Sequence, residues 1–192
     1  MEQDTSTLQK IENDKKKQLT KNIRSLIVWV LVLVCVSVGA YFFANNFIVK
    51  WPIAGASMEP TLFNEDVVLL FNTQNVKYDD IIIFKVENEE RYLIKRVIGK
   101  PGDKITCKYD SQEVCYHLYR NDELLDESYI KSDMLSTGGY RDFDVTVPEG
   151  YYFVLGDNRN NSHDSHHGLY AKESLIEGIA FALISGSGFK FL

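Results

Sequence analysis

The apolar residues of this chain are distributed in two different ways. Near the N-terminus they form one unbroken run, with no charged residue from Leu26 to Ala44. At about 1.5 Å rise per residue, a helix over this run is roughly 29 Å long, which matches the hydrocarbon core of a bilayer. The run exceeds the roughly 7–15 apolar residues of a secretory signal peptide and ends without a small-x-small cleavage site. Residues 25–44 are therefore predicted to form an uncleaved transmembrane anchor.

Beyond the anchor, short stretches rich in Val, Ile, Tyr and Phe alternate with turn signals such as Lys100-Pro101-Gly102-Asp103. This pattern predicts β-strands, and no long segment of helical period follows the anchor. The predicted fold class is mainly β, with a single transmembrane helix followed by an all-β domain over 45–192. Residues 104–147 are more polar and less regular, which indicates a small insertion or subdomain. The predicted strands are Asp66–Phe71, Asp80–Val86, Tyr92–Ile98, Val114–Tyr119, Phe143–Val147, Tyr151–Leu155 and Ile179–Ile184.

Basic residues give the expected orientation of the anchor. Six of them precede the span, whereas only Lys50 follows it closely. Because cytoplasmic flanks carry the excess of basic residues, we expect residues 1–24 to be a cytoplasmic basic tail, disordered or a fraying helix, and 45–192 to be extracytoplasmic. Beyond the tail the chain has 15 basic and 23 acidic residues, and this acidic balance argues against a nucleic-acid partner.

Two of the three cysteines lie in the exported part. Cys35 falls within the anchor and is expected to be a small apolar residue there. Cys107 and Cys115 bracket a short polar loop in a compartment that permits disulfides. They are expected either to bridge a local hairpin or to remain free thiols. Neither is surrounded by a zinc-binding sequence pattern.

A lysine lies between apolar neighbours in the third predicted strand. Strand alternation places Leu93, Lys95 and Val97 on one face. Burial lowers the pKa of a lysine, so such a residue can act as a general base, and serine–lysine pairs occur in hydrolases of unrelated folds. Ser57, a short distance after the anchor, is the candidate nucleophile. The alternative is a lysine that extends from a sheet edge to solvent.

These residues occur within motifs, in an order that closely resembles the type I bacterial signal peptidases, also called leader peptidases. The single anchor and compact exported domain resemble the Gram-positive members. The resemblance covers nearly the whole chain. The matching segments are Gly55–Leu62, Asp66–Val68, Tyr92–Gly99, Pro101–Asp103, Tyr152–Arg159, Asn161–Ser162 and Asp164–Ser165.

The resemblance implies a membrane-anchored serine endopeptidase that removes N-terminal signal peptides after small-x-small sites. Ser57 would be the nucleophile, Lys95 the general base, and the Ser57 N–H an oxyanion donor. Ser162 would orient the lysine ammonium, while Asp157 and Asp164 would hold the surrounding loop. No metal or cofactor is implied.

The resemblance also implies the partners and the location. Met58, Leu62 and Ile94 match positions that line shallow pockets for small substrate side chains, although each could equally be an ordinary core residue. The substrates would be exported preproteins, met at the cell membrane by a single-pass protein. Membrane lipid is an expected partner and the secretion translocon a further candidate. The segment from Phe47 to Ile53, with Trp51, is expected to lie either in the membrane interface or in a first strand.

Three positions depart from the family's pattern. Gly55 stands where some relatives have a serine that supplies a second oxyanion donor. Asn160 replaces a frequent aspartate, and His166 replaces the usual arginine of an Asp-Ser-Arg ending. We expect activity to survive, with efficiency and pH response altered.

Four alternatives remain open at this point. Ser57 with His163 or His166 and Asp157 or Asp164 would form a Ser-His-Asp site. His163, His166 and His167 would bind a metal. The Ser-x-x-Lys match from Ser128 to Lys131 would indicate a penicillin-binding enzyme, although its partner motifs are missing from the sequence. The fourth is a non-enzymatic reading, in which a catalytically weak relative acts as an assembly factor or chaperone for surface structures.

Overall fold

The structure, a computed structural model, describes residues 2–186 and 188–192, and for 2–14 and 44–47 it describes the backbone alone. The chain divides into two compact units, one ending at Asn46 and the other beginning at Phe47. The first is a single helix, α1, from Glu2 to Phe47. The helix begins at Glu2 and so includes most of the segment that was expected to be a disordered tail or a fraying helix. One segment of α1, Lys15–Phe43, is long and apolar enough to cross a membrane.

The second unit is all β apart from short turns of 3-10 helix. Its strands pair antiparallel, both between neighbours in the sequence, such as β3 and β4, and between distant strands, such as β2 and β11. The strands are β1 (Ile48–Pro52), β2 (Val67–Phe71), β3 (Ile81–Lys85), β4 (Tyr92–Gly99), β5 (Lys104–Asp110), β6 (Cys115–Arg120), β7 (Glu123–Leu124), β8 (Phe143–Thr146), β9 (Tyr151–Leu155), β10 (Ala171–Lys172), β11 (Ile176–Ser185) and β12 (Gly188–Phe191).

Two sheets result. The larger has the order β1-β2-β11-β3-β4-β9-β10, with β12 paired to β11, and the smaller has the order β7-β6-β5-β8. The smaller sheet is formed by the polar, irregular stretch that was expected to be an insertion. In the larger sheet β4 pairs with β3 on one side and β9 on the other, so its middle residues are covered along both edges.

Three clusters of buried apolar side chains form the core. The first combines residues of β2, β3 and β11 with Met58 and Leu62 from the loop after β1. The second joins the smaller sheet to β9, with Leu118 and Phe153 among its members. The third packs against the larger sheet around Val97 of β4. The loop after β1 is thus fixed to the sheet by its own apolar residues.

The two exported cysteines are free thiols. In the β5–β6 hairpin Cys107 lies opposite Leu118 and Cys115 opposite Asp110, so the cysteines are three residues out of register, about 10 Å along the strands. An odd offset also places them on opposite faces of the sheet. A disulfide between them, one of the two expected outcomes, is therefore excluded by strand register.

Candidate active site

Ser57 lies in the loop between β1 and β2, where two asparagines fix the backbone around it. Asn158 N–H donates to the Ser57 carbonyl oxygen at 3.0 Å, and Asn158 Nδ2 donates to the Ala56 carbonyl oxygen at 3.0 Å. The Gly55 N–H donates to Asn64 Oδ1 at 2.9 Å. Because the backbone is held on both sides, the loop presents the serine hydroxyl in a defined position.

Lys95 lies in the interior strand β4 and is only 2% exposed. This burial rules out a lysine that extends from a sheet edge to solvent. Its Nζ donates to Ser57 Oγ at 2.7 Å and to the Ile94 carbonyl oxygen at 2.9 Å. A serine hydroxyl and a buried amine at hydrogen-bond distance have the geometry of a nucleophile and its general base.

The electrostatic surroundings of Lys95 favour its neutral form. Burial lowers the pKa of Lys95 from its ordinary value to about 8, although the charges of Asp164 and Asp157 oppose this shift. Removing the ammonium from water costs more free energy than the two carboxylates return. A useful fraction of the lysine is therefore neutral near pH 8, whereas an exposed lysine would be almost wholly charged.

Asp157, directly after the strand β9 and Gly156, pairs with Arg96 of β4. The Arg96 guanidinium donates to both carboxylate oxygens, at 2.8 Å from Nε and 2.6 Å from Nη2, and both residues are buried. Thr61 Oγ1 donates to the same carboxylate at 2.5 Å. The bidentate contact with Arg96 and the hydrogen bond from Thr61 together join the loop that carries Ser57 to the strand that carries Lys95. Asp157 thus holds the two elements together.

Asp164 accepts hydrogen bonds from the backbone and side chains of the loop after β9, including the His166 N–H at 3.4 Å. Its Oδ2 accepts the Gly156 N–H at 2.9 Å and the Ser162 hydroxyl at 2.5 Å, and its Oδ1 lies 2.7 Å from His166 Nδ1. Burial alone would raise the pKa of Asp164, but the hydrogen bonds from His166, Ser162 and Gly156 hold it below its usual value. Asp164 is therefore an ionised group whose charge acts on Lys95.

The hydrogen-bond partner of the Ser162 hydroxyl is Asp164. No hydrogen bond joins Ser162 to Lys95 among the described residues. The hydroxyl nevertheless lies beside Gly156, on the same side as the Ser57 carbonyl oxygen. In this geometry Ser162 contributes to the loop next to the nucleophile rather than to the lysine itself.

The three residues expected to line substrate pockets differ in their exposure to solvent. Met58 and Leu62 are buried at 1% and 0% exposure within the first core cluster, and Ile94 is half-buried against that cluster. Ile94 is therefore the one of the three that is partly exposed.

The histidines do not form a triad with Ser57. His166 pairs with Asp164 and stacks on Tyr140, with ring centroids 4.4 Å apart, while the partner of Ser57 Oγ is Lys95. Ligand atoms of Asp164, His166 and His167 lie within 4.8 Å of one another, but His163 is not part of this group. The Ser-x-x-Lys alternative also fails, because Lys131 pairs with Glu59 at 2.6 Å.

Comparison with known sequences identifies the family of this chain. The sequence profile described as signal peptidase, peptidase S26, matches residues 23–184 of this chain. The chain belongs to this peptidase family. It is 36% identical over 171 residues to signal peptidase I P of Bacillus subtilis subsp. natto, a match that covers 81% of this chain and 85% of the relative.

More distant members of the family are also similar. Signal peptidase IB of Staphylococcus aureus is 28% identical over 187 residues, which cover 88% of this chain and 94% of the relative. A crystal structure of a signal peptidase I from Enterococcus faecalis V583 aligns with 55% of this chain and 96% of its own, at 32% identity and a TM-score of 0.44.

The structure shows the setting of each of the three departures from the peptidase pattern. Asn160 Oδ1 accepts the Leu135 N–H at 2.9 Å, and its Nδ2 donates to the Asp133 carbonyl oxygen at 2.7 Å, so an amide suits this position. His166 satisfies Asp164 through one ring nitrogen, whereas an arginine would offer a fork of donors. Gly55 has φ +95°, a conformation that a serine would adopt only with strain.

Some residues that build this peptidase site were not singled out from the sequence. Three of them, Arg96, Gly156 and Asn158, lie inside the matching motifs, and this position in a motif could have indicated their importance. Arg159 is fully buried and its guanidinium donates to Glu127 at 2.5 and 2.8 Å, which links the loop after β9 to the segment after β7. Glu127 lies in the irregular stretch and no local pattern marked it.

Proposed function

We propose that this signal peptidase cleaves preproteins with Ser57 as nucleophile and Lys95 as general base. The observation that carries the proposal is the 2.7 Å contact between Lys95 Nζ and Ser57 Oγ in a buried site. The lysine with a pKa of about 8 is the group that can take the proton of the serine hydroxyl. The reaction removes signal peptides, as the family membership indicates.

The steps follow from the positions of the atoms. Ser57 Oγ attacks the carbonyl carbon of the scissile bond while its proton passes to Lys95 Nζ. The Ser57 N–H, which has no hydrogen-bond partner within the described residues, donates to the oxyanion that forms. The Lys95 ammonium then protonates the leaving amine, and the acyl group remains on Ser57. Lys95, neutral again, activates the water that releases the signal peptide.

The loop and sheet around this pair support a preference for small side chains before the cleaved bond. Ile94 is half-buried next to Lys95, and the fully buried Met58 and Leu62 pack behind it in the same cluster. These residues would form an apolar wall with only a shallow pocket beside it, which fits an alanine side chain better than a larger one. Ile94 would contact substrate, whereas Met58 and Leu62 would support the wall.

The location follows from α1 and its charges. Lys15–Phe43 is long and apolar enough to span a bilayer, and the basic residues before Leu26 favour a cytoplasmic N-terminus. The β domain would then lie outside the cell membrane, where exported preproteins appear. Membrane lipid is a partner of such an anchor, and the translocon is the expected source of substrates.

Cleavage of a preprotein ending in Ala-x-Ala by the full chain in detergent tests the roles of Ser57 and Lys95. We expect Ser57→Ala and Lys95→Ala each to lower kcat/KM by at least about a thousandfold, because each removes one half of the pair. His163→Ala, a residue outside the proposed machinery, and a chelator should leave cleavage unchanged.

Two results would contradict these assignments. Loss of cleavage with His163→Ala, at unchanged folding, would favour a histidine base. A wild-type chain that cuts no preprotein, although folded, would favour the assembly-factor alternative.

A further inference from the structure

Three side chains capable of binding a metal meet at the end of the β5–β6 hairpin, in the smaller sheet. Cys115 and His117 are two residues apart on β6 and therefore share a face, and Glu113 lies in the preceding turn. His117 Nε2 is 3.6 Å from Cys115 Sγ and 3.0 Å from Glu113 Oε2, and Cys115 Sγ is 3.9 Å from Glu113 Oε2. None of the three belongs to the peptidase motifs.

The three separations lie within about 0.4 Å of those expected around a tetrahedral zinc ion. With metal–ligand distances of about 2.3 Å to sulfur and 2.0–2.2 Å to nitrogen and oxygen, ligand atoms lie about 3.4–3.6 Å apart. The side chain of Glu113 is 65% exposed, so its carboxylate can shift by a few tenths of an ångström without disturbing the fold. The ligand atoms of the cluster therefore need little rearrangement to surround a cation.

The surroundings of the cluster are negatively charged. Burial raises the pKa of the Cys115 thiol, and the carboxylates of Asp133, Glu113 and Asp110 raise it further. A divalent ion would reverse the local charge balance and stabilise the thiolate.

The cluster is also accessible. Cys115 and His117 line a surface groove of about 700 Å³ whose other walls include Leu124, Ile130 and Asp133. An ion can enter from the groove, and a fourth coordination position remains for water. Cys107 faces the opposite side of the sheet, so it takes no part in the site.

We propose that Glu113, Cys115 and His117 form a binding site for Zn²⁺, separate from the catalytic pair. On binding, the Cys115 S–H bond breaks and its proton leaves to solvent, while sulfur, His117 Nε2 and a Glu113 oxygen each donate an electron pair to the metal. Thiolate, imidazole and carboxylate together suit zinc, whereas magnesium and calcium prefer oxygen ligands alone. The bound ion would join the hairpin turn to β6 and stabilise the smaller sheet.

Cobalt titration of the untagged, reduced full chain in detergent tests the proposal, because Co²⁺ bound to a thiolate gives a sulfur-to-metal charge-transfer band. We expect this band in the wild type and in Cys107→Ala, the matched control, and its loss in Cys115→Ser. Excess Zn²⁺ should remove the band. His117→Gln should weaken cobalt binding by at least about tenfold, or ~1.4 kcal/mol. Zn²⁺ should raise the Tm of the wild type and leave that of Cys115→Ser unchanged.

The absence of the band in the wild type would overturn the proposal, as would its persistence in Cys115→Ser. Cobalt bound only by imidazole and carboxylate, as at Asp164, His166 and His167, gives no sulfur band and would count against the site. If Cys115→Ser fails to fold, the variants Glu113→Gln and His117→Gln provide the test instead. Unchanged cobalt affinity in both would overturn the proposed zinc site. Signal-peptide cleavage by each variant serves as the check on folding.

Discussion

The amine of Lys95 is surrounded by protein on almost every side, and this placement controls its charge. Since only the neutral amine accepts a proton, we expect kcat/KM for a preprotein to rise about tenfold per pH unit below pH 8 and to level off above it. At pH 7 about one tenth of the lysine is neutral, and at pH 9 about nine tenths. A pH–rate profile of the wild type measures this. A profile that stays flat from pH 6 to 9 would contradict a lysine base of this pKa.

Two variants distinguish an electrostatic effect on Lys95 from a structural one. The charge of Asp164 raises the pKa of Lys95 and that of Arg91 lowers it. Asp164→Asn should therefore move the rise to lower pH, and Arg91→Gln should move it slightly to higher pH, whatever their effect on the maximal rate. Shifts in the same direction for both variants would exclude this account.

For single residues, the sequence predicted catalytic roles better than it predicted side-chain contacts. The motifs identified Ser57 and Lys95, and the apolar neighbours of Lys95 indicated its burial. The partner of Ser162 was not predictable, because it depends on how the loop after β9 folds back to Asp164. The three ligands of the proposed zinc site were not predicted, because Glu-x-Cys-x-His is not a known metal-binding spacing, and the ligand atoms meet only when Cys115 and His117 lie on a strand that follows a turn at Glu113.

Between elements, the closest approach in the site is that of the end of β9 to the loop of the nucleophile. Gly156 lies there, and a Cβ at this position would collide with Ser162 Oγ and with the Ser57 carbonyl oxygen. We expect Gly156→Ala to push the Ser57 loop away from Lys95, and so to lower kcat/KM at least tenfold at a stability cost of about 1–3 kcal/mol. Cleavage assays and thermal unfolding of the variant measure both effects.

Gly186 provides the matched control, because no heavy atom lies within 4 Å of a Cβ built there and its backbone is not left-handed. Gly186→Ala should leave both kcat/KM and Tm unchanged. If Gly156→Ala behaves in the same way, the close packing at β9 is not required for activity.

The strands were predictable where apolar runs were clear. Each of the seven predicted strands overlaps an observed one, although β11 begins three residues earlier than expected, at Ile176. β5 was missed because lysines and an aspartate interrupt its apolar residues, and only pairing with β6 and β8 makes it a strand. β7 and β10 have two residues each and carry no pattern of their own.

Over the whole molecule, the β domain exposes apolar side chains on one hairpin of the larger sheet. We call Ile184, Phe189 and Phe191 the hairpin patch. Phe189 lies opposite Ile184, and its ring centroid is 5.0 Å from that of Phe191. The two phenylalanines are 56% and 70% exposed. Trp51, which was expected to lie either in the membrane interface or in a first strand, lies in β1 and packs against the first core cluster.

Exposed aromatic residues on a membrane-tethered domain favour the lipid interface. Full burial of one phenylalanine side chain is favourable by about 1.5–3 kcal/mol, so partial insertion of both rings into lipid should strengthen membrane binding measurably. In a fragment beginning at Phe47, we expect the double variant Phe189→Ser/Phe191→Ser to weaken co-sedimentation with liposomes at least tenfold. Leu124→Ser, which removes an exposed apolar side chain from the smaller sheet, should have no effect. Equal co-sedimentation of the double variant and the unaltered fragment would show that the anchor alone holds this peptidase at the membrane.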